Sequence, residues 1–120
     1  MANTVDTLVA KAPITCAADK FYDFFKLDMN DLVEVCGIPM TVKVKIDEIS
    51  DAEKSITFTV LEGDLLLLYK SFKATLTTGE GLATTTFAFE KMTILTPPPE
   101  LYVPLVITIC TLVDAFLLAN

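Results

Sequence analysis

The chain has no arginine, no histidine and no tryptophan among its 120 residues. Lacking histidine, it has no side chain that ordinarily titrates near neutrality, and so neither the usual general base nor the commonest metal ligand. Without arginine it has no planar, forked donor for phosphate groups. Nine lysines face sixteen aspartates and glutamates, a formal net charge of −7. That balance opposes a nucleic-acid backbone and weakens attraction to anionic membrane surfaces. Cysteine is sparse and odd in number: Cys16, Cys36 and Cys110 are widely spaced, with no CxxC pair and no Cys/His cluster. Zinc and thioredoxin-like chemistry are thereby excluded. Three scattered thiols suit a reducing cytosol and read as small apolar residues in or near a core. No metal or cofactor is expected.

What is present is apolar and periodic. Half of the chain, 52%, is hydrophobic, enough for one globular domain spanning residues 1–120. Met1–Thr15 carries Asp6 and Lys11 and no long apolar core, so a signal peptide is not expected there. Leu101–Leu118 is apolar except for Pro104, Thr108, Thr111 and Asp114. Its length is at the lower limit for a membrane span, and Asp114 would be costly in lipid. A helix buried on the domain's own sheet is the better reading, with no stable membrane insertion.

The pattern along the chain predicts β-α-β-β-β-β-α. Val5–Ala12 reads as a strand stopped by Pro13, which has no amide proton for a ladder. A helix from Thr15 or Cys16 to about Lys26 carries Phe21, Phe24 and Phe25 on one face. Asp28–Val35 is a short helical or irregular piece, followed by a turn at Gly37 and Pro39. Met40, Val42, Val44 and Ile46 then alternate with Thr41, Lys43, Lys45 and Asp47, one dry face against one wet face. A turn at Asp51–Lys54 leads to a strand with Ile56, Phe58 and Val60 inward. Glu62-Gly63-Asp64 breaks it. Leu65–Leu68 reads as a continuous apolar lead-in to a strand over Tyr69–Thr77, with Phe72, Ala74 and Leu76 inward. Gly79-Glu80-Gly81 forms a hairpin loop, and Leu82–Met92 is the last strand, with Phe87 and Phe89 on one face. Thr96-Pro97-Pro98-Pro99 reads as a stiff extended connector into a helix from Tyr102 to Leu118, which covers the dry face of the meander.

Several of these segments together resemble the major latex proteins of the plant Bet v I (pathogenesis-related class 10) group. They are Glu62-Gly63-Asp64, Tyr69-Lys70-Ser71-Phe72-Lys73, Phe89-Glu90-Lys91, the proline-rich connector and the apolar terminal helix. Upstream, Pro39-Met40-Thr41, Lys54-Ser55-Ile56-Thr57-Phe58 and Ala18-Asp19-Lys20-Phe21-Tyr22 extend the likeness over nearly the whole chain. The resemblance implies an α+β helix-grip (START-like) fold and a cavity for hydrophobic ligands such as sterols, fatty acids, phenolics or hormones. It also implies a role in defence, stress or development in the plant cytosol. Two strands and the glycine-rich loop that joins them in the family are missing here, so no phosphate or RNA chemistry is carried over.

The expected site is therefore apolar and non-catalytic. Its candidate lining is Phe58, Val60, Tyr69, Phe72, Leu76, Phe87 and Phe89 from the sheet, with Tyr102, Val106, Ile109 and Val113 from the helix. Tyr69 and Tyr102 would offer hydroxyls that orient a ligand. One alternative is a shortened member that no longer binds. Another is an enzyme like the alkaloid-condensing relatives, which without histidine would need a desolvated lysine or a carboxyl of raised pKa. Lys43, Lys45, Lys70, Lys73, Glu62 and Asp64 fall instead at turns, strand ends or wet faces. A hormone-receptor reading meets only a weak gate-like segment, Cys36–Met40, and no latch. Loss of the family's edge hairpin predicts a sheet in the order 1-5-4-3-2. It would open the cavity into a groove and leave the strand Met40–Ile49 as a free edge prone to self-association.

Overall fold

The computed structural model of the chain describes residues 5–27, 43–63 and 65–119. The short piece at Asp28–Val35, the turn at Gly37 and Pro39, residues Met40–Val42, Cys36 and Asp64 lie outside them. Five strands and three helices are described: β1 Asp6–Pro13, α1 Ala18–Leu27, β2 Lys43–Ser50, β3 Ser55–Glu62, α2 Leu65–Leu68, β4 Tyr69–Gly79, β5 Leu82–Lys91 and α3 Tyr102–Ala119. The strands form one antiparallel sheet in the order β1-β5-β4-β3-β2. This is the predicted order, and with the terminal helix laid across one face it is an α+β helix-grip architecture.

Each strand carries the period-two pattern that buries one face. Phe72 pairs with Phe89, Ala74 with Phe87 and Leu76 with Thr85 across β4 and β5. Ile56 pairs with Leu76 and Phe58 with Ala74 across β3 and β4. Pro13 ends β1 opposite Leu82. The outer face carries hydroxyls that pair across strands, Thr57 with Thr75 at 3.0 Å and Thr77 with Ser55 at 3.3 Å. The β4–β5 turn needs only Glu80 and Gly81, because Gly79 already pairs with Leu82. Gly81 has φ +80°, a conformation that glycine adopts without a Cβ penalty.

Three expectations are corrected. Leu65–Leu68 is a single helical turn, not a strand lead-in. Leucine is a better helix former than strand former, and Gly63, at φ 132°, breaks the chain before it. The segment before α3 is folded into turns rather than extended. Thr96 N–H donates to the Thr93 carbonyl at 3.1 Å, Glu100 N–H to Pro98 at 2.8 Å and Tyr102 N–H to Pro99 at 3.1 Å, since proline also presets turn geometry. Finally, β2 has no dry face: Val44 is half-buried, but Ile46 and Ile49 are exposed. As an edge strand it reaches beyond the cover of the described helices.

The interior divides into two packed clusters. Toward the β4–β5 turn, α1 sets Phe21, Tyr22, Phe24 and Phe25 against Ile56, Phe58, Leu76 and Ala83 of the sheet and Cys110 and Val113 of α3. Aromatic residues at i and i+4 stack one turn apart, and the Phe21 and Phe25 rings lie 5.1 Å apart. At the other end, Leu65 of α2 joins Tyr69, Phe72, Phe87 and Phe89, with Tyr102 and Val103 of α3 closing over them.

Candidate functional site

Helix α3 runs against β1 and α1, and its position is set by a buried charge. Asp114 is 8% exposed. Its Oδ1 accepts the N–H of Thr15 at 2.9 Å and of Cys16 at 2.8 Å, while Oδ2 accepts Thr15 N–H at 3.0 Å. These donors lie between β1 and α1, so one side chain ties the last helix to the start of the first. Burial alone would raise the Asp114 pKa, but the hydrogen bonds from Cys16 and Thr15 outweigh it and hold the carboxyl below its ordinary value. The Cys16 thiol is pushed the other way, to about 11, by burial and by its contact with the Asp114 carboxylate. By length and composition α3 could cross a membrane, and only 17% of it is buried. Leu105, Phe116 and Leu118 are exposed on it, yet the Asp114 bonds attach it to this domain.

The candidate lining residues do not form one wall. Phe58, Leu76 and Val113 belong to the cluster around α1, with half-buried Ile109 packed against it. Tyr69, Phe72, Phe87 and Phe89 form the second cluster, with half-buried Val60 and Tyr102 against it. Val106 of α3 packs against both clusters. In the second cluster Phe72 is the hub: its ring lies 5.4 Å from Phe87, 5.5 Å from Tyr69, 6.2 Å from Phe89 and 6.4 Å from Tyr102. Phe89 stacks on Phe72 and the other three rings meet it tilted or edge-to-face, arrangements that are favourable beyond the area they bury.

Tyr69 is not free to orient a ligand as its donor, because its hydroxyl donates to the Pro97 carbonyl at 2.6 Å. This bond pins the turns before α3 to β4. Burial and the neighbouring Tyr102 raise the Tyr69 pKa. The candidate lining left out Leu65, a member of the second cluster, Leu8, packed against it, and the dry-face residue Val44, packed against the first; sequence reasoning also missed the structural use of Asp114. A lone acid in an apolar helix was the available signal for the last.

Between sheet and helix a set of apolar side chains is only partly covered. Val44 and Val60 on the sheet, and Val103, Val106, Ile107 and Ile109 on the helix, are all half-buried. A surface of this make-up can take an aliphatic or aromatic molecule by dispersion and desolvation, and offers it little charge. The lysines weighed for catalysis lie outside it. Lys43 pairs with Glu62 at 3.5 Å, Lys70 with Glu90 at 3.7 Å and Lys73 with Asp47 at 3.2 Å, and all three, like Lys45, are exposed. Among the described residues no group of three His, Cys, Asp or Glu side chains could hold a metal ion.

A family model, that of the pathogenesis-related protein Bet v 1 family, matches residues 34–120. No curated protein sequence matches the chain. Among solved structures, the major latex-like protein 151 of Panax ginseng superposes with a TM-score of 0.87 at 18% identity, covering 93% of this chain and 97% of that one. An Arabidopsis thaliana member of the major latex protein family superposes at 0.71 with 20% identity, covering 97% and 96%. Norcoclaurine synthase from Thalictrum flavum superposes at 0.76 with 10% identity, covering 98% and 89%. At such identities these structures speak for a shared fold.

Proposed function

From the premise that the chain belongs to the Bet v 1 family, whose members bind hydrophobic ligands, we propose that it binds an apolar small molecule without transforming it. The site is the groove between the sheet and α3. The carrying observation is the row of half-buried aliphatic side chains on both walls, with Val106 set between the two aromatic clusters. Apolar residues left half-open on facing elements are what a hydrophobic ligand covers. Sterols, fatty acids, phenolics and hormone-like molecules share the needed chemistry. Candidate contacts are the half-buried Val60, Tyr102, Val106 and Ile109, with the buried Phe72 beneath them. Phe58, Leu76, Phe87, Phe89 and Val113 lie behind them as support, and Tyr69 holds the loop at the groove's end.

We also propose that the protein works in the cytosol of plant cells, in defence or development, as a carrier rather than a catalyst. The exposed, paired lysines and the absence of histidine support the non-catalytic reading over the chemistry of norcoclaurine synthase. Titration with a fluorescent apolar probe tests the site. Probe binding that fatty acids displace, and that Ile109→Asp weakens about tenfold or more in a folded protein, fits the groove. Unchanged affinity in Ile109→Asp would place the probe elsewhere. Sustained turnover in purified protein, abolished by one lysine or glutamate substitution, would overturn the non-catalytic reading.

A further inference from the structure

Strand β2 is the last strand of the sheet, and among the described residues nothing pairs with its outer edge. A row of unmatched backbone donors and acceptors is a template for another strand. The composition of β2, Lys-Val-Lys-Ile-Asp-Glu-Ile-Ser, does little to forbid one: both lysines fall in its first half and both acids in its second. An antiparallel copy of the same strand would bring each half against the opposite charge.

The register can be set from the ladder with β3. Val44 pairs with Val60, Ile46 with Phe58 and Ile49 with Ile56, so these three residues face the interior side. Lys45 pairs with Thr59 and Glu48 with Thr57, so both face the outer side. In a regular strand, residues three apart point to opposite faces. Here the ladder shifts between Ile46 and Glu48, and Asp47 is the extra residue. That bulge puts Lys45 and Glu48 on one face, and Val44 and Ile49 on the other.

We propose that β2 pairs antiparallel with β2 of a second copy, about a twofold axis passing between Ile46 and Asp47. This register sets Lys45 opposite Glu48 of the second copy on the outer face. On the inner face it sets Val44 opposite Ile49 of the second copy. Twofold symmetry makes each contact twice. Lys43 and Asp47 already have partners, Glu62 at 3.5 Å and Lys73 at 3.2 Å. Lys45 and Glu48 are therefore the two charges of β2 that have no ion pair among the described residues. Ile46 and Ile49, at 39% and 45% exposure, are the apolar side chains the second copy would cover. The ladder is interrupted at the axis, where the two bulges meet, and continues on both flanks. The result is one ten-stranded sheet with the two ligand grooves on its flanks. The inference is independent of what, if anything, occupies those grooves.

Sedimentation equilibrium of the full chain and its charge-reversed variants tests this. Lys45→Glu alone and Glu48→Lys alone each place like charges at both symmetry-related contacts, so each should weaken dimerisation about tenfold or more. The double variant restores opposite charges in the same register and should dimerise within about threefold of the wild type. Circular dichroism confirms that these exposed substitutions leave the fold intact. A wild-type chain that stays monomeric at high concentration overturns the proposal. So does a dimer indifferent to the single reversals, or a double variant no tighter than either single one.

Discussion

Replacing Asp114 by alanine removes the acceptor of two backbone N–H groups, the buried one of Cys16 and the part-buried one of Thr15. A hydrogen bond to a charged group contributes roughly 1.5–3 kcal/mol, and an orphaned buried donor costs about 1–3 kcal/mol. The substitution should therefore cost about 3–5 kcal/mol, against a total stability for such a domain of about 5–15 kcal/mol. At this chain length that lowers Tm by about 12–20 °C. Asp114→Asn keeps an oxygen at the Oδ1 position, which receives both N–H groups at 2.8–2.9 Å. It loses the charge and sets an amide where Oδ2 accepts Thr15, so it should cost about 1–2 kcal/mol. The pH dependence follows the same bonds. The folded-state pKa of Asp114 is lowered, so its contribution is fully present above the unfolded value of about 3.9 and is lost as pH falls through the folded value. The stability gap between wild type and Asp114→Asn should accordingly be constant from pH 7 to about 5 and shrink below pH 4. Urea unfolding followed by circular dichroism at each pH measures it. A loss under 1 kcal/mol in Asp114→Ala, or a gap that widens on acidification, would refute this account of how α3 is held.

Phe72→Ala leaves a cavity at the hub of four aromatic rings and should cost about 3–5 kcal/mol in the same assay. With its pKa at about 11 and its side chain buried, Cys16 should resist iodoacetamide at pH 8 and react only at the rate of unfolding, read by mass spectrometry. The Tyr22 hydroxyl donates to Asp51 at 2.5 Å, and burial together with that carboxylate raises its pKa to about 12. Removing the acceptor in Asp51→Ala should move its phenolate titration, followed at ultraviolet wavelengths, down toward the ordinary tyrosine value of about 10.

The sheet was legible because its signals are local and repeated. Alternation at Ile56-Phe58-Val60, Phe72-Ala74-Leu76 and Phe87-Phe89 defines strand faces, and the Gly79–Gly81 loop forces neighbouring strands to pair. The apolar segment Tyr102–Leu118 was legible as a helix because a strand would not need that length. What the local pattern could not show is where competing preferences are decided by packing. The four leucines of α2 carry no periodicity, and their helical turn depends on Gly63 before them. The prolines before α3 fit both extended and turn geometry, and Tyr69 reaching the Pro97 carbonyl favours the turns. The β2 bulge leaves only a slight mark, a spacing of three between Ile46 and Ile49 where the preceding apolar residues are two apart. The division of the candidate site into two clusters follows from where α1 lies on the sheet, a long-range fact. The hydroxyl of Tyr69 illustrates the same limit, since its polar reach was readable and its partner was not.

The measurement closest to the central claim is native mass spectrometry of the recombinant protein after incubation with a plant lipid and metabolite extract. The account predicts one apolar small molecule retained per chain, and its loss in a folded Val106→Asp variant, whose carboxylate would stand between the two aromatic clusters. A chain that emerges without ligand under those conditions, or a Val106→Asp protein that retains the same molecule to the same extent, would contradict it.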